Sequence, residues 1–257
     1  MKRSHFVLGL IFLILLIDQV LKIWVKLNMP LGDSFKVLGL DWFRIHFTEN
    51  KGMAFGIEFG GDYGKLFLSL FRIVVVGFIA YFLNKLIQKK ASFLVLTCIS
   101  LIFAGALGNI LDSIFYGVYF SDSGTFHSPR LATFMPSEGG YAGVFYGKVV
   151  DMLYFPMIEG FWPKWMPFVG GKYFMFFQPI FNIADSAISL GVFIAIIFYR
   201  RFQKEFDAQI NEKDLVIATD EAIRTTDSSL SSPIDNSTET LKTGFDASVQ
   251  EKNKDQE

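Results

Sequence analysis

Four stretches of this chain are each apolar enough to cross a bilayer core, which takes about 20 residues of helix. The first runs from about His5 to Lys26 and holds the apolar run Phe6 to Ile17. The second runs from about Leu66 to Leu83. The third, about Ser92 to Leu111, carries no charge, and the fourth, about Ile180 to Tyr199, carries only Asp185. The reading is an α-helical integral membrane protein with four transmembrane helices. Composition agrees: 51% of the 257 residues are hydrophobic and 19% charged, against roughly 25% charged in an average soluble domain. The first segment begins like a secretory signal, with Lys2 and Arg3. No A-x-A-like cleavage site follows Ile17; Asp18, Gln19 and more apolar residues do, so it reads as a retained anchor.

Basic residues orient the helices. Lys2 and Arg3 precede the first, Lys85, Lys89 and Lys90 separate the second from the third, and Arg200, Arg201 and Lys204 follow the fourth. With four alternating spans these clusters fall on one side, so both termini are expected in the cytoplasm. The connections 27–65 and 112–179 then lie outside. Residues 201–257 hold seven basic and 13 acidic residues, against 17 and 12 before them. Such a polar tail buries too little apolar surface to offset its ordering entropy. It is expected to be largely disordered and cytoplasmic.

Ionisable residues inside membrane helices are costly, so each needs a reason. Asp18 and Lys22, four apart, share one face of the first helix; a self-neutralising interfacial pair is the simplest account of those two alone. Asn109 and Asp112 end the third helix, and Asn182 and Asp185 begin the fourth. By the alternation above, all lie at the outer membrane boundary. Three helices sending polar groups to one level predicts a polar site there.

Several chemistries are excluded. One cysteine, Cys98, permits no intramolecular disulfide, and its mid-helix apolar setting suits an inert thiol. No H-E-x-x-H or G-x-S-x-G motif exists. Carboxylates remain, and two of them sharing a proton divide the work of hydrolysis. The ionised one takes a proton from water; the protonated one hydrogen-bonds the scissile carbonyl.

Four blocks carry a resemblance. They are Asp18-Gln19-Val20-Leu21-Lys22; Thr48-Glu49-Asn50-Lys51-Gly52-Met53-Ala54-Phe55-Gly56; Gly105-Ala106-Leu107-Gly108-Asn109-Ile110-Leu111-Asp112 with Gly147-Lys148-Val149-Val150-Asp151; and Phe181-Asn182-Ile183-Ala184-Asp185-Ser186. In this order, across most of residues 10–195, the chain resembles the lipoprotein signal peptidases (signal peptidase II). The resemblance implies an intramembrane aspartyl endopeptidase of the bacterial cytoplasmic (inner) membrane. Such an enzyme cleaves prolipoproteins on the amino side of a diacylglyceryl-modified cysteine. It implies Asp151 and Asp185 as the catalytic aspartates. Asp18, Lys22, Asn50, Gly52, Ala54, Phe55, Asn109, Asp112, Asn182 and Ala184 follow as substrate-binding or site-supporting positions. It further implies diacylglyceryl-modified prolipoproteins and membrane lipids as partners, no nucleic acid, no cofactor, no metal, a monomer, and binding of the family's cyclic peptide inhibitors. A small extracytoplasmic antiparallel β-sheet is implied too. Residues 35–57 agree, alternating strand-like around Phe35–Leu38 and Phe43–Phe47.

Two features depart from the family pattern. The aspartate matching Asp112 is usually followed by Arg; here Ser113 follows, and Arg44, Arg72 or Lys148 are candidate substitutes. An insertion, about Val118 to Tyr146, separates Gly117 from Val149-Val150-Asp151, with Tyr116-Gly117 recurring as Tyr146-Gly147. It reads as a tolerated surface insertion, or as a lid or partner-binding loop. The aromatic-rich stretch 155–177 suits the headgroup region. A transporter would carry its carboxylates near the bilayer midplane, unlike these. A non-catalytic lipoprotein binder would not need both aspartates, although Ser113 favours it.

Overall fold

The computed structural model describes residues 2–50, 61–176, 179–205 and 207. Residues 1–203 form one compact unit, and a second division of the chain begins at Lys204. The expected disordered tail therefore lies, beyond Asp207, outside the described residues.

Helix α1 spans Arg3–Asn28 and α2 spans Gly61–Gln88. Helix α3, Phe93–Leu111, starts where the Ser92 hydroxyl accepts from the Val95 N–H, supplying one of the orphan donors of a helix start with a partner. It continues through a π-helical turn, Asp112–Tyr116, and one further turn to Tyr119. Helix α4 is Ile183–Ile197. Among the described residues three helices are long and apolar enough to cross a membrane: Arg3–Asn28, Tyr63–Gln88 and Phe93–Tyr119. A fourth span is added if Ile183–Ile197 and Tyr199–Glu205, bent by 79°, count as one. Leu8, Phe12, Phe67, Val74, Phe78, Phe193 and Ile196 point outward and exposed. In water such a surface would aggregate; in a bilayer it faces lipid.

The fourth helix begins three residues later than expected. Ile180 and Phe181 instead form an edge strand, and Asn182, extended at φ −123°, caps the helix by accepting from the Asp185 N–H at 2.8 Å.

Eight strands are described: β1 Ser34–Lys36, β2 Arg44–Asn50, β3 Gly124–Thr125, β4 Ser128–Pro129, β5 Val149–Tyr154, β6 Ile158–Phe161, β7 Tyr173–Phe176 and β8 Ile180–Phe181. Four of them make an antiparallel sheet in the order β1-β2-β5-β8. The expected sheet over 35–57 is therefore only half the observed one, and 51–60 lie outside the described residues. Thr48 opposes Asp151 and Glu49 opposes Val150 across β2 and β5. Val25 of α1 and Met29 at its C-terminal cap, Phe47, Val150, Met152 and Leu153 of the sheet, and Tyr116 and Phe120 form one apolar core. That core fixes β5 on the ends of α1 and α3.

Small residues bring the helices together. A Cβ on Gly105 would lie 2.2 Å from the Ala184 carbonyl oxygen, and one on Gly191 2.7 Å from that of Cys98. Without a hydrophobic drive between helices in lipid, such close backbone approach is how they gain packing.

Candidate active site

Two aspartates anchor the site from different elements. Asp151 sits in β5, buried. Asp185 sits half-buried in the first turn of α4, where the aligned peptide dipoles favour a negative charge. Two asparagines join them. The Asn182 amide donates to Asp151 Oδ1 at 2.7 Å and to Asn109 Oδ1 at 3.1 Å. The Asn109 amide donates to Asp185 Oδ1 at 2.7 Å. The chain Asp151–Asn182–Asn109–Asp185 thus runs unbroken through β5, α4 and α3. Burial first, and then the Asp185 charge, push the Asp151 carboxyl up to about 7, while the Asn182 hydrogen bond pulls it down.

Beneath this chain lies a buried ionic knot. Lys22 Nζ contacts Asp18 Oδ2 and Asp112 Oδ2, each at 2.9 Å with all three side chains fully buried, and donates to Asn109 Oδ1 at 2.9 Å. Asp18 and Lys22 are therefore not a pair closed on itself, because Asp112 shares the lysine. Asp18 Oδ1 accepts from the Ala184 N–H at 2.9 Å, one of the free donors at the start of α4. Asp112 Oδ2 accepts from the Val150 N–H at 3.3 Å. Each carboxylate thus ties an element that bears one of the two aspartates, α4 or β5, to α1. A Cβ on Gly108 would lie 2.8 Å from Asp18 Oδ2, so glycine admits the carboxylate. Removing one partner of such a knot strands a buried charge, at a cost of roughly 3–5 kcal/mol.

A cavity of about 230 Å³ opens beside Asp185, lined by Phe71, Arg72, Val76, Asn109, Asp185 and Ile188 among others. Most of its lining is apolar; Asn109, Asp185 and Arg72 are the polar residues, and Arg72 is within electrostatic reach of both Asp185 and Asp151. Of the three cations suggested in place of the Arg missing at Ser113, Arg72 lines this cavity. Lys148 is bound to Glu49 and Asp122, and Arg44 Nε donates to the Asp41 carbonyl. Ser113 itself is buried and donates to the Asn109 carbonyl at 3.1 Å.

The structure thus gathers Asp18, Lys22, Asn109, Asp112, Asp151, Asn182, Ala184 and Asp185. Asn50 ends β2, paired in register with Val149. Gly52, Ala54 and Phe55 lie outside the described residues. Gln19 was missed. Its amide donates to Asp112 Oδ1 at 2.9 Å and to Asp18 Oδ2 at 3.1 Å, and its carbonyl accepts from Tyr116 OH at 3.2 Å. Its place beside Asp18, inside an otherwise apolar helix, was the available signal. Among the described residues no cluster of three or more His, Cys, Asp or Glu could hold a metal ion.

The model of the family described as signal peptidase (SPase) II matches residues 10–201. The chain is 56% identical to a lipoprotein signal peptidase of Porphyromonas gingivalis over 202 residues, 78% of this chain and 85% of that protein. It is 39% identical to the lipoprotein signal peptidase of Amoebophilus asiaticus over 192 residues, 74% of this chain and 75% of the other. With that of Staphylococcus carnosus it shares 30% over 200 residues, 77% and 93% of the two chains.

Proposed function

This chain belongs to the signal peptidase II family, aspartic-type membrane peptidases that cleave signal peptides from prolipoproteins, and on that premise we propose that Asp151 and Asp185 are its catalytic pair. What supports the assignment is the hydrogen-bonded chain through Asn182 and Asn109, which ties the Asp151 carboxyl in one element to the Asp185 carboxylate in another, the latter lining a cavity.

The roles follow from their surroundings. Asp151, with its carboxyl raised to about 7, carries a proton in roughly half of the molecules at pH 7 and in that form donates it to the scissile carbonyl oxygen. Asp185, at a helix N-terminus and with Arg72 in the same cavity, is the base that takes a proton from the attacking water. The water oxygen bonds to the carbonyl carbon. As the C–N bond breaks, Asp185 returns its proton to the leaving nitrogen and Asp151 recovers one from the new carboxyl group. Neither a covalent intermediate nor a metal takes part.

The substrate is a bacterial prolipoprotein in the inner membrane. In our reading its diacylglyceryl cysteine enters from the lipid, with acyl chains against the apolar residues that line the cavity. Asp18, Lys22, Asp112 and Ala184 fix the elements that carry the dyad, and Asn50, Gly52, Ala54 and Phe55 are substrate-binding or site-supporting positions. The basic clusters Lys2-Arg3, Lys85 to Lys90 and Arg200-Arg201 favour cytoplasmic termini and a site at the outer surface. Residues 201–257 form an acidic cytoplasmic tail, and the enzyme works as a monomer open to the family's cyclic peptide inhibitors.

Cleavage of a diacylglyceryl-modified prolipoprotein in detergent or liposomes, beside its unlipidated form, tests the assignment. Wild type is expected to cut only the lipidated substrate, and Asp151→Asn and Asp185→Asn to cut neither while remaining in the membrane. Turnover by both variants would overturn the dyad.

A further inference from the structure

The insertion that follows Gly117 is not a free surface loop. Its two ends meet: a Cβ on Gly147 would lie 3.0 Å from the Gly117 nitrogen and 2.1 Å from the Asp112 carbonyl oxygen. The Gly147 N–H donates to the Ser113 carbonyl, and the Ala142 N–H to that of Gly117, both at 2.9 Å. The excursion therefore leaves and returns at one point, directly above the π-helical turn that carries Asp112.

From that base it reaches across to a second buried ionic cluster, separate from the one around Lys22. Lys26, fully buried, is ion-paired with Glu49 of β2 and donates to the Ser123 hydroxyl at 3.0 Å. Ser123 in turn donates to Glu49 Oε1 at 2.8 Å. Lys148 Nζ donates to Glu49 Oε2 and to Asp122 Oδ1, both at 3.0 Å. The Tyr141 ring lies 5.1 Å from both Lys26 Nζ and Lys148 Nζ, within cation–π range. Its hydroxyl accepts from the Lys148 backbone N–H at 2.6 Å. Burial raises the Glu49 carboxyl, but Lys26 and Lys148 more than reverse this and hold it below the usual carboxylate range. Three side chains from the insertion (Asp122, Ser123 and Tyr141) therefore grip the two residues that frame Asp151 in the sheet. Lys148 lies three residues before it, immediately ahead of β5, and Glu49 pairs with its neighbour Val150.

We propose that the 118–146 insertion is a positioning brace for the catalytic strand, with Tyr141 holding Lys148, and through it Asp151, in register against β2. This rests on the reading of Asp151 as catalytic. β5 is then clamped on both sides of Asp151. Asp112 holds Val150 from the membrane side, and the insertion holds Lys148 from the other. A chain without the insertion must fix that strand by other means, and this one has made its activity depend on the added segment.

The test uses the full-length enzyme in detergent with a diacylglyceryl-modified prolipoprotein. Tyr141→Phe removes only the hydroxyl and keeps the ring between the two lysines. It is expected to lower kcat by about tenfold with KM little changed, since small misplacement of a reacting group is costly in rate. Deletion of 118–146, joining Gly117 to Gly147, is expected to lose about 100-fold or more. Unchanged kcat in Tyr141→Phe overturns the brace, whether or not the deletion variant folds. So does a deletion variant that cleaves at the wild-type rate, or one that loses only melting temperature while each folded molecule turns over normally. Asp151→Asn, run alongside, separates the two readings. If it retains turnover, the catalytic reading of Asp151 on which the brace rests is wrong; if it is dead and Tyr141→Phe is fully active, only the brace fails.

Discussion

Asp151 carries a cost that its role explains. Its carboxyl titrates near 7 in the folded protein against an ordinary value of 3.8. Between those values the folded chain holds a proton that the unfolded chain has released. Stability therefore falls as pH rises through this window, and above it the whole penalty is present. At 1.36 kcal/mol per pH unit this amounts to up to about 4 kcal/mol. Asn at 151 keeps a carbonyl to accept from Asn182 and cannot ionise. Asp151→Asn is therefore expected to be inactive yet more stable than wild type at pH 8, with the advantage gone near pH 4. Melting curves of the two proteins at both pH values check this; equal melting temperatures at pH 8 would contradict it. The same environment that makes Asp151 an acid at neutral pH makes the fold pay for it.

At the scale of elements, the dyad depends on how closely α3 meets α4. Gly105 faces the Ala184 carbonyl oxygen, where any Cβ would lie at 2.2 Å, and Ile188 Cγ1 at 2.7 Å. Backbone cannot yield there as a flexible side chain would, so Gly105→Ala must push the helices apart. That moves Asp185 away from Asn109, the 2.7 Å contact that orients it. The expected result is a fall in kcat of about 100-fold, with destabilisation of roughly 1–3 kcal/mol. Gly77→Ala on α2, where a Cβ meets nothing within 4 Å, is the control and is expected to leave both unchanged. Elements also mark where the sequence was legible. Asp185, Asn109 and Asn182 were readable because polar residues at the ends of apolar helices advertise themselves, whereas Asp151, in a strand, was reached only through the resemblance carried by Val149-Val150-Asp151. The strand Ile180–Phe181 was not, since two apolar residues have no period and only their pairing with Leu153 and Tyr154 defines them. Lys26 was passed over although it continues the Asp18–Lys22 face one turn on. Its partner Glu49 lies 23 residues away, and nothing local announces that meeting. The insertion looked like a dispensable loop because the closeness of Gly117 and Gly147 exists only in three dimensions.

For the molecule as a whole, the burial pattern and the charge pattern make one joint demand. The outward faces of α1, α2 and α4 are apolar, while the ionic groups of α1 and α3 are gathered at one level with the sheet set against them. The basic clusters that flank the helices lie at the other ends: Arg3 starts α1, Lys85 to Lys90 close α2, and Arg200 and Arg201 follow α4. Basic residues stay on the cytoplasmic side. The sheet, the insertion and the dyad should therefore all face outward, where a secreted substrate has arrived and where water can reach Asp185. The single cysteine allows a direct test. With Cys98 replaced by Ser, a cysteine is placed either at exposed Ser137 in the insertion or at exposed His5 near the start of α1. A membrane-impermeant maleimide added to spheroplasts is expected to label Ser137→Cys and to spare His5→Cys until the membrane is disrupted. Labelling of His5→Cys from outside, with Ser137→Cys protected, would invert the protein. It would then leave the dyad on a side where no translocated prolipoprotein waits for it.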